Sequence, residues 1–471
     1  MEMLATVFQG LLDLGAAVFL PIVLFIIGLI VGMKPGKAFS SALTLGVAFI
    51  GINLLIGYMG DTVGAAFTTI VEGSNSTLKY IDMGWAPALG LAWQWQYAFL
   101  MFPIQIAINV IMLLLGWTNC LNVDMWNVGN KVFTAFLVTS ACNNVIVGFI
   151  VAIVQIIAEL KNADYTKYQI LELTSVPSVG MPHCMFLSNI FFYPIANILD
   201  KILPNTKTLN AQEIRNKIGI FGENHVLGFL MGTIIGLAAG QGSGALLLGV
   251  QAGTALTLFP MVSKLFMTAL TPISDAASEW VKKKFPGREL IIGLDWPILA
   301  GNSEIWVAII LTIPVALIFS LILPGNTALV LGNLMNVCVC VPLFLAMKGD
   351  VLKMCIVSWI WCPILSYAAS VMGPLLTSLA NTAGTYNTDI TWWGCDIAEI
   401  RFAIYEAATG NMIGIVACVA VVALGILYFL KLAPAREKSR KGTSGIRTVK
   451  SVFPSVCCNI TYGKAAYVAA N

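Results

Sequence analysis

Long apolar runs separated by short polar segments make up most of the chain between residues 14 and 430. A membrane-spanning helix needs about 20 mostly apolar residues. Eleven runs meet or approach that length, at residues 14–33, 39–59, 95–116, 131–158, 180–200, 226–240, 245–268, 305–323, 328–346, 352–376 and 411–430. The fifth and sixth are the weakest, because one contains His183 and the other is short. The pattern predicts an all-α polytopic membrane protein with about 11 transmembrane helices.

The composition supports this fold class over a set of soluble domains. Of the 471 residues, 58% are hydrophobic and only 10% are charged, whereas soluble domains are about 25% charged. The first fifteen residues contain Glu2 and Asp13 and no basic residue. They do not resemble a cleavable signal peptide, so we expect the first run to be a permanent span. The sequence contains no P-loop, no HExxH motif and no nucleic-acid-binding module.

The basic residues indicate an orientation, because cytoplasmic loops of membrane proteins are enriched in Lys and Arg. With the N-terminus outside, all of the 26 basic residues fall in inside segments except Lys79, Lys161, Lys167 and Arg401. The sequence therefore predicts an N-out, C-in protein with an odd number of spans. It divides into a transmembrane domain, residues 1–430, and a basic cytoplasmic tail, residues 431–471.

Two long outside loops are predicted, at residues 60–94 and 377–410, and both are rich in tryptophan. Trp85 lies in the first, and Trp392 and Trp393 lie in the second. Tryptophan near a membrane surface usually belongs to an interfacial aromatic belt, and we interpret these residues in that way. A surface on which a sugar stacks is the alternative.

Several polar groups stand directly beside apolar runs. Glu223 and His225 precede one run, and Asp295, Asn302 and Glu304 precede another. A charged side chain in a membrane helix costs about 2.5–3.5 kcal/mol on insertion scales, and such residues usually face a cavity or a solute. Neighbouring glycine and proline indicate broken helices whose freed backbone groups line that cavity. The sequence thus predicts a re-entrant or broken helical region that binds a polar solute.

Two further positions allow either a structural or a binding role. His183 follows Pro182, and its ring either bonds a backbone carbonyl or belongs to the site. Asp124 either caps a helix or binds the solute. Carboxylates and amides are natural partners for the hydroxyl groups of a polyol. We find no positive charge within the spans, which favours a neutral solute over an anion, and we expect no metal site because the chain has only two histidines.

The chain resembles the IIC membrane component of a bacterial sugar phosphotransferase system (PTS), of the galactitol type. The resemblance extends from near the N-terminus to about residue 430. It depends on the order and spacing of Gly84-Trp85, Asn122-Val123-Asp124-Met125-Trp126-Asn127, Pro182-His183, Phe221-Gly222-Glu223, Gly228-Phe229-Leu230-Met231-Gly232, Ile292-Gly293-Leu294-Asp295 and Pro324-Gly325-Asn326. The chain departs from the family pattern at Cys184, at His225 and at Ser303-Glu304, which leaves the exact sugar open.

This resemblance implies a permease that moves a galactitol-like sugar alcohol inward for phosphorylation. The phosphoryl group would come from a IIB partner phosphorylated on cysteine and supplied by IIA, with no tightly bound cofactor in the IIC chain. It also implies a homodimer in the bacterial inner membrane, with a moving core and a static scaffold as in related ascorbate transporters. A carboxylate or an imidazole assists proton removal from a hydroxyl; the candidates are Glu223, Glu304, Asp295 and His183.

Two other functions remain open from the residues alone. A proton- or sodium-coupled secondary transporter would use Asp295 or Glu304 as its coupling carboxylate. A membrane-embedded enzyme without transport activity is the weaker alternative, because no nucleophile–base pair is evident in the sequence. The residues predicted to bind the solute are Trp85, Asp124, His183, Glu223, His225, Asp295, Asn302 and Glu304.

Overall fold

A computed structural model describes most of the chain. It covers residues 16–72, 78–82, 84–93, 95–122, 126–204, 223–284, 290–299, 301–330, 339–382, 389–394 and 396–439. Asp124 and the predicted tail after residue 439 lie outside these residues. The described α-helices are α1 Ala16–Ile30, α2 Pro35–Met59, α3 Ala65–Glu72, α4 Trp85–Trp93, α5 Met101–Leu114, α6 Trp126–Cys142, α7 Val145–Thr174, α8 Asn189–Ile202, α9 Asn224–Ala238, α10 Gly244–Lys284, α11 Ser303–Ile322, α12 Cys340–Ala346, α13 Val351–Thr382, α14 Ala398–Ala408 and α15 Met412–Leu427.

The protein is a helical membrane protein whose helices follow most of the apolar runs. The runs 180–200 and 328–346 are not single spans, because each begins with a short strand and ends in a shorter helix, α8 and α12. The run 131–158 is not one span, because it is divided between α6 and α7. Asn143 adopts a left-handed conformation with φ 56°, and the Asn144 side chain caps α7 by accepting from the backbone N–H groups of Ile146 and Val147. Two adjacent asparagines thus end one helix and begin the next.

Among the described residues, four helices are long and apolar enough to cross a membrane. They are α7, α11, residues Val351–Asn381 of α13, and the helix that begins with α15 and continues to Ser439. The total of about 11 spans and the N-out, C-in orientation stay predictions.

Six short strands form two three-stranded parallel sheets within the described residues. The strands are β1 Tyr80–Asp82, β2 Cys120–Asn122, β3 Val179–Gly180, β4 Ile291–Gly293, β5 Ala328–Leu329 and β6 Ile390–Thr391. The strand order is β5-β1-β6 in the first sheet and β2-β4-β3 in the second. The prediction of an all-helical fold missed these strands, which are too short to show an alternating pattern.

The two halves of the chain exchange their first strands. The N-terminal half supplies β1, β2 and β3, yet β1 lies between β5 and β6 of the C-terminal half; β4 lies in the same way between β2 and β3. In both halves a helical hairpin precedes the exchanged strand. The sequence spacing between the end of β1 and Trp85 equals the spacing between the end of β4 and Trp296. The fold is therefore built from two structural repeats that are locked together by reciprocal strand pairing.

The helical hairpins of the two repeats pack together as a separate layer. Helix α10 contacts both α2 and α9, and α1 packs on α2. Glycine allows the close approach of α9 to α10: a Cβ atom on Gly228 would lie 2.6 Å from Gly253 Cα, and one on Gly232 would lie 2.6 Å from the Leu248 carbonyl oxygen. Small residues of this kind are typical of tightly packed helices in membranes.

The two predicted outside loops are wrong for the described residues. Residues 60–94 include a π-helix at Gly60–Gly64, α3, β1 and α4, and residues 377–410 include the end of α13, β6 and α14. The interfacial-belt interpretation is also wrong for Trp85, Trp392 and Trp393, because at most 8% of each residue is exposed. Polar residues made these segments resemble loops, but each of them contributes a strand to the first sheet, β1 and β6.

The C-terminal helix extends past the predicted domain boundary at residue 430. Residues up to Ser439 are helical, and the Arg436 guanidinium lies 3.9 Å from the centre of the Tyr193 ring. Arg436 also donates to the Asn197 side-chain oxygen and to the Ala346 carbonyl oxygen, at 3.1 Å each. The first residues of the predicted tail therefore pack on the helical bundle.

We expect Gly293→Ala to destabilise the second sheet. A Cβ atom at this position would lie 2.9 Å from the Asn122 backbone Cα and 2.7 Å from Pro182 Cγ, and overpacking of this kind costs about 1–3 kcal/mol. Thermal unfolding in detergent should show a lower Tm. Gly36→Ala is the control, since a Cβ atom there meets nothing within 4 Å. Equal Tm values for the two variants would contradict the close strand packing described here.

Candidate functional site

Strand pairing brings His183 and Asp295 together. Gly180 of β3 pairs with Gly293 of β4, and the Leu294 N–H donates to the Gly180 carbonyl oxygen at 2.9 Å. His183 and Asp295 follow these paired glycines closely, and the carboxyl ends of parallel strands lie at the same edge of a sheet. His183 Nε2 is 3.4 Å from Asp295 Oδ1.

Local backbone contacts orient both side chains. The Asp295 carboxylate accepts from the Trp296 N–H at 2.6 Å. The His183 ring caps the 3₁₀-helix Cys184–Ser188, where its Nδ1 accepts from the Met185 N–H at 3.2 Å. Only 2% of the His183 side chain and 8% of the Asp295 side chain are exposed. The pair is therefore held rigidly and almost without water.

The carboxyl edge of the first sheet faces the same region. At that edge the Asp82 carboxylate accepts from the Gly84 and Trp393 N–H groups at 3.0 Å each, which joins the chain segments that follow β1 and β6. Beyond β6 the chain reaches Asp396, whose Oδ1 lies 3.9 Å from His183 Nδ1. His183, Asp295 and Asp396 therefore form a polar cluster, which lies where the carboxyl edges of the two sheets converge.

Arg401 of α14 lies beside this cluster, and three aromatic rings surround its guanidinium group. Its guanidinium carbon is 5.4, 5.0 and 5.4 Å from the ring centres of Trp85, Phe133 and Trp392. The guanidinium donates to the Asp396 carbonyl oxygen at 2.7 Å and to Thr134 Oγ1 at 3.0 Å. These bonds tie α14 to α6, and the ring faces provide the cation with favourable electrostatic contacts.

A second buried cation lies on α6. Lys131 forms an ion pair with Glu159 of α7, with 0% and 1% of their side chains exposed, and it donates to the Asn127 carbonyl oxygen at 2.8 Å. The expectation that the spans contain no positive charge is therefore wrong. It failed because Lys131 stands at the edge of an apolar run and Arg401 in an apparent loop, so neither seemed buried.

Among the described residues, buried polar atoms that lack hydrogen-bond partners occur on α4, α6 and α8 and directly after β6. Both amide atoms of Asn127 and of Asn189 are in this state, as are the indole nitrogens of Trp85 and Trp392. Asparagine and the indole N–H together offer donors and acceptors, whereas a hydroxyl group can both donate and accept. A solute with several hydroxyl groups would satisfy atoms of this kind.

The donor set is less suited to a metal ion. His183, Cys184 and Asp396 each offer one atom of a type that ligates metals, and these atoms lie within 4.8 Å of one another. Arg401 donates to the backbone of one of these residues, and His183 Nδ1 already accepts from a backbone N–H. A metal ion would have to displace the Met185 N–H from His183 Nδ1 and bind close to the positive Arg401 guanidinium. We therefore interpret the cluster as a site for a neutral polar solute.

The structure brings together three of the eight residues predicted from sequence to bind the solute, and Asp124 lies outside the described residues. His183 and Asp295 belong to the cluster, and Trp85 contacts Arg401 beside it. His225 is exposed and lines a cavity of about 460 Å³ whose described walls come only from α9 and α10. Glu223 precedes α9 at its N-cap position without a side-chain capping bond.

Asn302 and Glu304 lie at the start of α11. The Asn302 amide donates to the Leu299 carbonyl oxygen at 2.7 Å, and Ser303 Oγ donates to Glu304 Oε2 at 3.5 Å. Both residues are partly buried. These bonds lie within the turn that leads from Asp295 into the helix, and a binding role for the two residues stays a prediction.

Sequence reasoning missed Asn130, Asp396 and Arg401. The signal for Asn130 was available, since Asn127, Asn130 and Thr134 recur on one face of an apolar helix at helical spacing. Asp396 and Arg401 gave no such signal, because they follow a segment without helical or strand periodicity. Their position depends on β6 pairing with β1 from the other repeat.

The fold defines a helical membrane protein with a buried polar cluster between its two sheets. Comparison with known proteins gives the family. The family profile EIIC-GAT, described as "PTS system sugar-specific permease component", matches residues 10–389. The chain belongs to this family and is a PTS permease. This membership excludes a membrane enzyme without a transport role and decides against a secondary transporter.

Named relatives support the same assignment. The chain is 33% identical over 389 residues to the "PTS system galactitol-specific EIIC component" of Escherichia coli K12, covering 81% of this chain and 86% of the relative. The protein of the same name from E. coli O157:H7 gives the same values. A "Putative permease IIC component" of E. coli K12 is 28% identical over 438 residues, covering 90% of this chain and 99% of that one.

We expect the Lys131–Glu159 pair to respond very differently to single and double substitution. Glu159→Gln leaves the Lys131 ammonium buried without its counter-ion, which costs about 3–5 kcal/mol. Replacing both residues, as Lys131→Met with Glu159→Leu, removes the buried charge and should recover most of the lost stability. Thermal unfolding of the three proteins in detergent measures this difference.

The exposed pair formed by Lys79 and Asp389 is the control. Its atoms are 4.0 Å apart, with 60% and 44% of the side chains exposed. Exposed pairs contribute about 0–1 kcal/mol, so Lys79→Met should change Tm little. A Glu159→Gln variant as stable as Lys79→Met would contradict the buried ion pair.

Proposed function

We propose that this permease takes up a galactitol-like sugar alcohol and delivers it inward for phosphorylation by a phosphorylated IIB partner, itself supplied by IIA. Two relatives named as galactitol-specific support the substrate class. The observation that carries the proposal is the convergence of His183, Asp295 and Asp396 at the joined edges of the two sheets. Family membership supports the IIB and IIA partners.

The chemistry of the cluster fits an uncharged, hydroxyl-rich solute. Carboxylates accept hydroxyl hydrogens, amides donate to hydroxyl oxygens, and indole N–H groups donate as well. Trp85 and Trp392, with ring centres 5.3 Å apart, add apolar faces for the carbon backbone of the sugar. The two buried cations described above already have protein partners, Lys131 with Glu159 and Arg401 with oxygen atoms of α6. An anionic solute would therefore find no unpaired cation in this pair to bind, whereas the hydroxyl groups of a polyol can bond to the carboxylates and amides.

Asp295 is the strongest candidate for taking a proton from the hydroxyl that is phosphorylated. A general base must lie within hydrogen-bond reach of the reacting hydroxyl, and Asp295 stands at the sheet edge beside His183. Glu223 and Glu304 are weaker candidates, since the one precedes α9 and the other bonds within the first turn of α11. In this proposal His183 orients Asp295, and Trp85 contacts the sugar.

The membrane arrangement is part of the same proposal. We infer about 11 spans in the bacterial inner membrane with the N-terminus outside and the C-terminus inside, and a homodimer as the working unit. Four described helices long enough to span and many exposed apolar side chains support a multi-pass protein. The phosphoryl group arrives on IIB, so the IIC chain needs no tightly bound cofactor.

We predict that Asp295→Asn lowers galactitol affinity at least tenfold and abolishes phosphorylation, because the amide cannot take a proton and offers one acceptor oxygen fewer. Titration calorimetry of the purified protein measures binding, and labelled galactitol with phosphorylated IIB measures the reaction. His225→Gln is the matched control, since this residue lines the separate cavity between α9 and α10. If His225→Gln lost binding while Asp295→Asn kept it, the site would lie between α9 and α10 instead.

A further inference from the structure

Arg401 determines which way the Asn130 side chain faces. Its Nη2 donates to the Asn130 backbone oxygen at 2.8 Å and lies 3.2 Å from Asn130 Oδ1. A guanidinium carries five N–H donors and no acceptor, so the amide atom that faces it must be oxygen. The amide NH₂ is then turned towards His183, where Nδ2 lies 3.2 Å from Nε2.

This orientation gives His183 more donors than it can accept. The Met185 N–H points to Nδ1 at 3.2 Å, while the Asn130 NH₂ points to Nε2 at the same distance. A neutral imidazole has one N–H and one acceptor nitrogen. Because the neutral ring has a single acceptor nitrogen, only one of the two bonds forms at a time.

Two carboxylates face the same two nitrogens from the other side. Asp295 Oδ1 is 3.4 Å from Nε2, and Asp396 Oδ1 is 3.9 Å from Nδ1. A proton on Nε2 satisfies Asp295 and Met185 and leaves the Asn130 NH₂ without an acceptor. A proton on Nδ1 faces Asp396 and satisfies Asn130, but the Met185 N–H loses its acceptor. The ring carries one proton in both states, and neither state satisfies every neighbour.

We propose that Arg401 is a positioning residue that acts through Asn130, and that a bound sugar hydroxyl selects the His183 tautomer with its proton on Nε2. This inference rests on the proposed sugar site. The hydroxyl oxygen accepts from Asn130 Nδ2, and the hydroxyl hydrogen is donated to Asp295. Asn130 then no longer competes for Nε2, so His183 donates from Nε2 to Asp295 and accepts at Nδ1 from Met185. Only when the sugar is present do the Asn130 NH₂, the His183 Nε2–H and the Met185 N–H all have an acceptor.

The chain allows a direct test because it contains only two histidines. In a His225→Gln background, His183 is the sole imidazole, and its ring ¹⁵N chemical shifts distinguish protonated from unprotonated nitrogen. Without sugar, we expect both nitrogens to give intermediate, averaged shifts in the full-length protein in detergent. Saturating galactitol should move Nε2 to the protonated position and Nδ1 to the unprotonated one.

Arg401→Lys tests the positioning role without any sugar. Lysine keeps the positive charge but lacks the planar set of donors by which Arg401 is anchored to Thr134 and Asp396 while Nη2 faces Asn130. The Asn130 amide is then free to turn, and we expect Nε2 to become mainly protonated in the sugar-free protein. Asn130→Asp replaces the competing NH₂ by oxygen and should give the same result, which covers the case in which Arg401→Lys does not fold. Arg436→Lys is the matched control, because Arg436 also stacks on a ring and binds an asparagine oxygen. It should leave the His183 shifts unchanged.

The outcomes separate this inference from the proposed substrate. Sugar-free shifts that already show Nε2 fully protonated in the background protein, or that are identical in the background, Arg401→Lys and Asn130→Asp proteins, overturn the role of Arg401. A background protein that binds no galactitol by calorimetry overturns the proposed substrate. The sugar-free comparison still decides the positioning role in that case.

Discussion

The backbone pairing of β3 with β4 is the constraint on which the site depends. It joins strands from different repeats and places His183 beside Asp295, although 112 positions of sequence separate them. Gly293 makes this pairing possible, because Asn122, Cys120 and Pro182 leave no space for a side chain. The reciprocal pairing of β1 with β6 brings Asp396 and Trp392 to the same place. The polar cluster proposed as the sugar site is thus a product of strand exchange between the repeats.

Buried charge imposes the second condition on this region. Lys131, Glu159, Asp396, Glu399 and Arg401 are all buried, and each must be paired or hydrogen-bonded to be tolerated there. Glu159 pairs with Lys131, Glu399 accepts from Ser188 Oγ at 2.5 Å, and Arg401 spreads its donors over α6 and the chain at Asp396. This network fixes the helices around the site while leaving amide and indole groups available to a solute.

The apolar runs predicted the helices well, because membrane burial demands uninterrupted hydrophobic length. They failed at Asn143, where a left-handed residue turns one apparent span into two helices. His183 and Asp295 could be predicted as members of one polar cluster, since both stand beside glycine or proline at the edge of an apolar run. Arg401 and Asp396 could not, because their burial depends on strands of two or three residues that pair across the repeats. The repeat itself has little sequence signal beyond the matching positions of Trp85 and Trp296.

A structure of the full-length protein determined with galactitol tests the central claim most directly. The account predicts sugar density at the joined sheet edges, within hydrogen-bond distance of the Asp295 carboxylate and the Asn130 amide, with Trp85 against the carbon chain. Density for the sugar in the cavity beside His225, between α9 and α10, with no solute at the sheet edges, would contradict it.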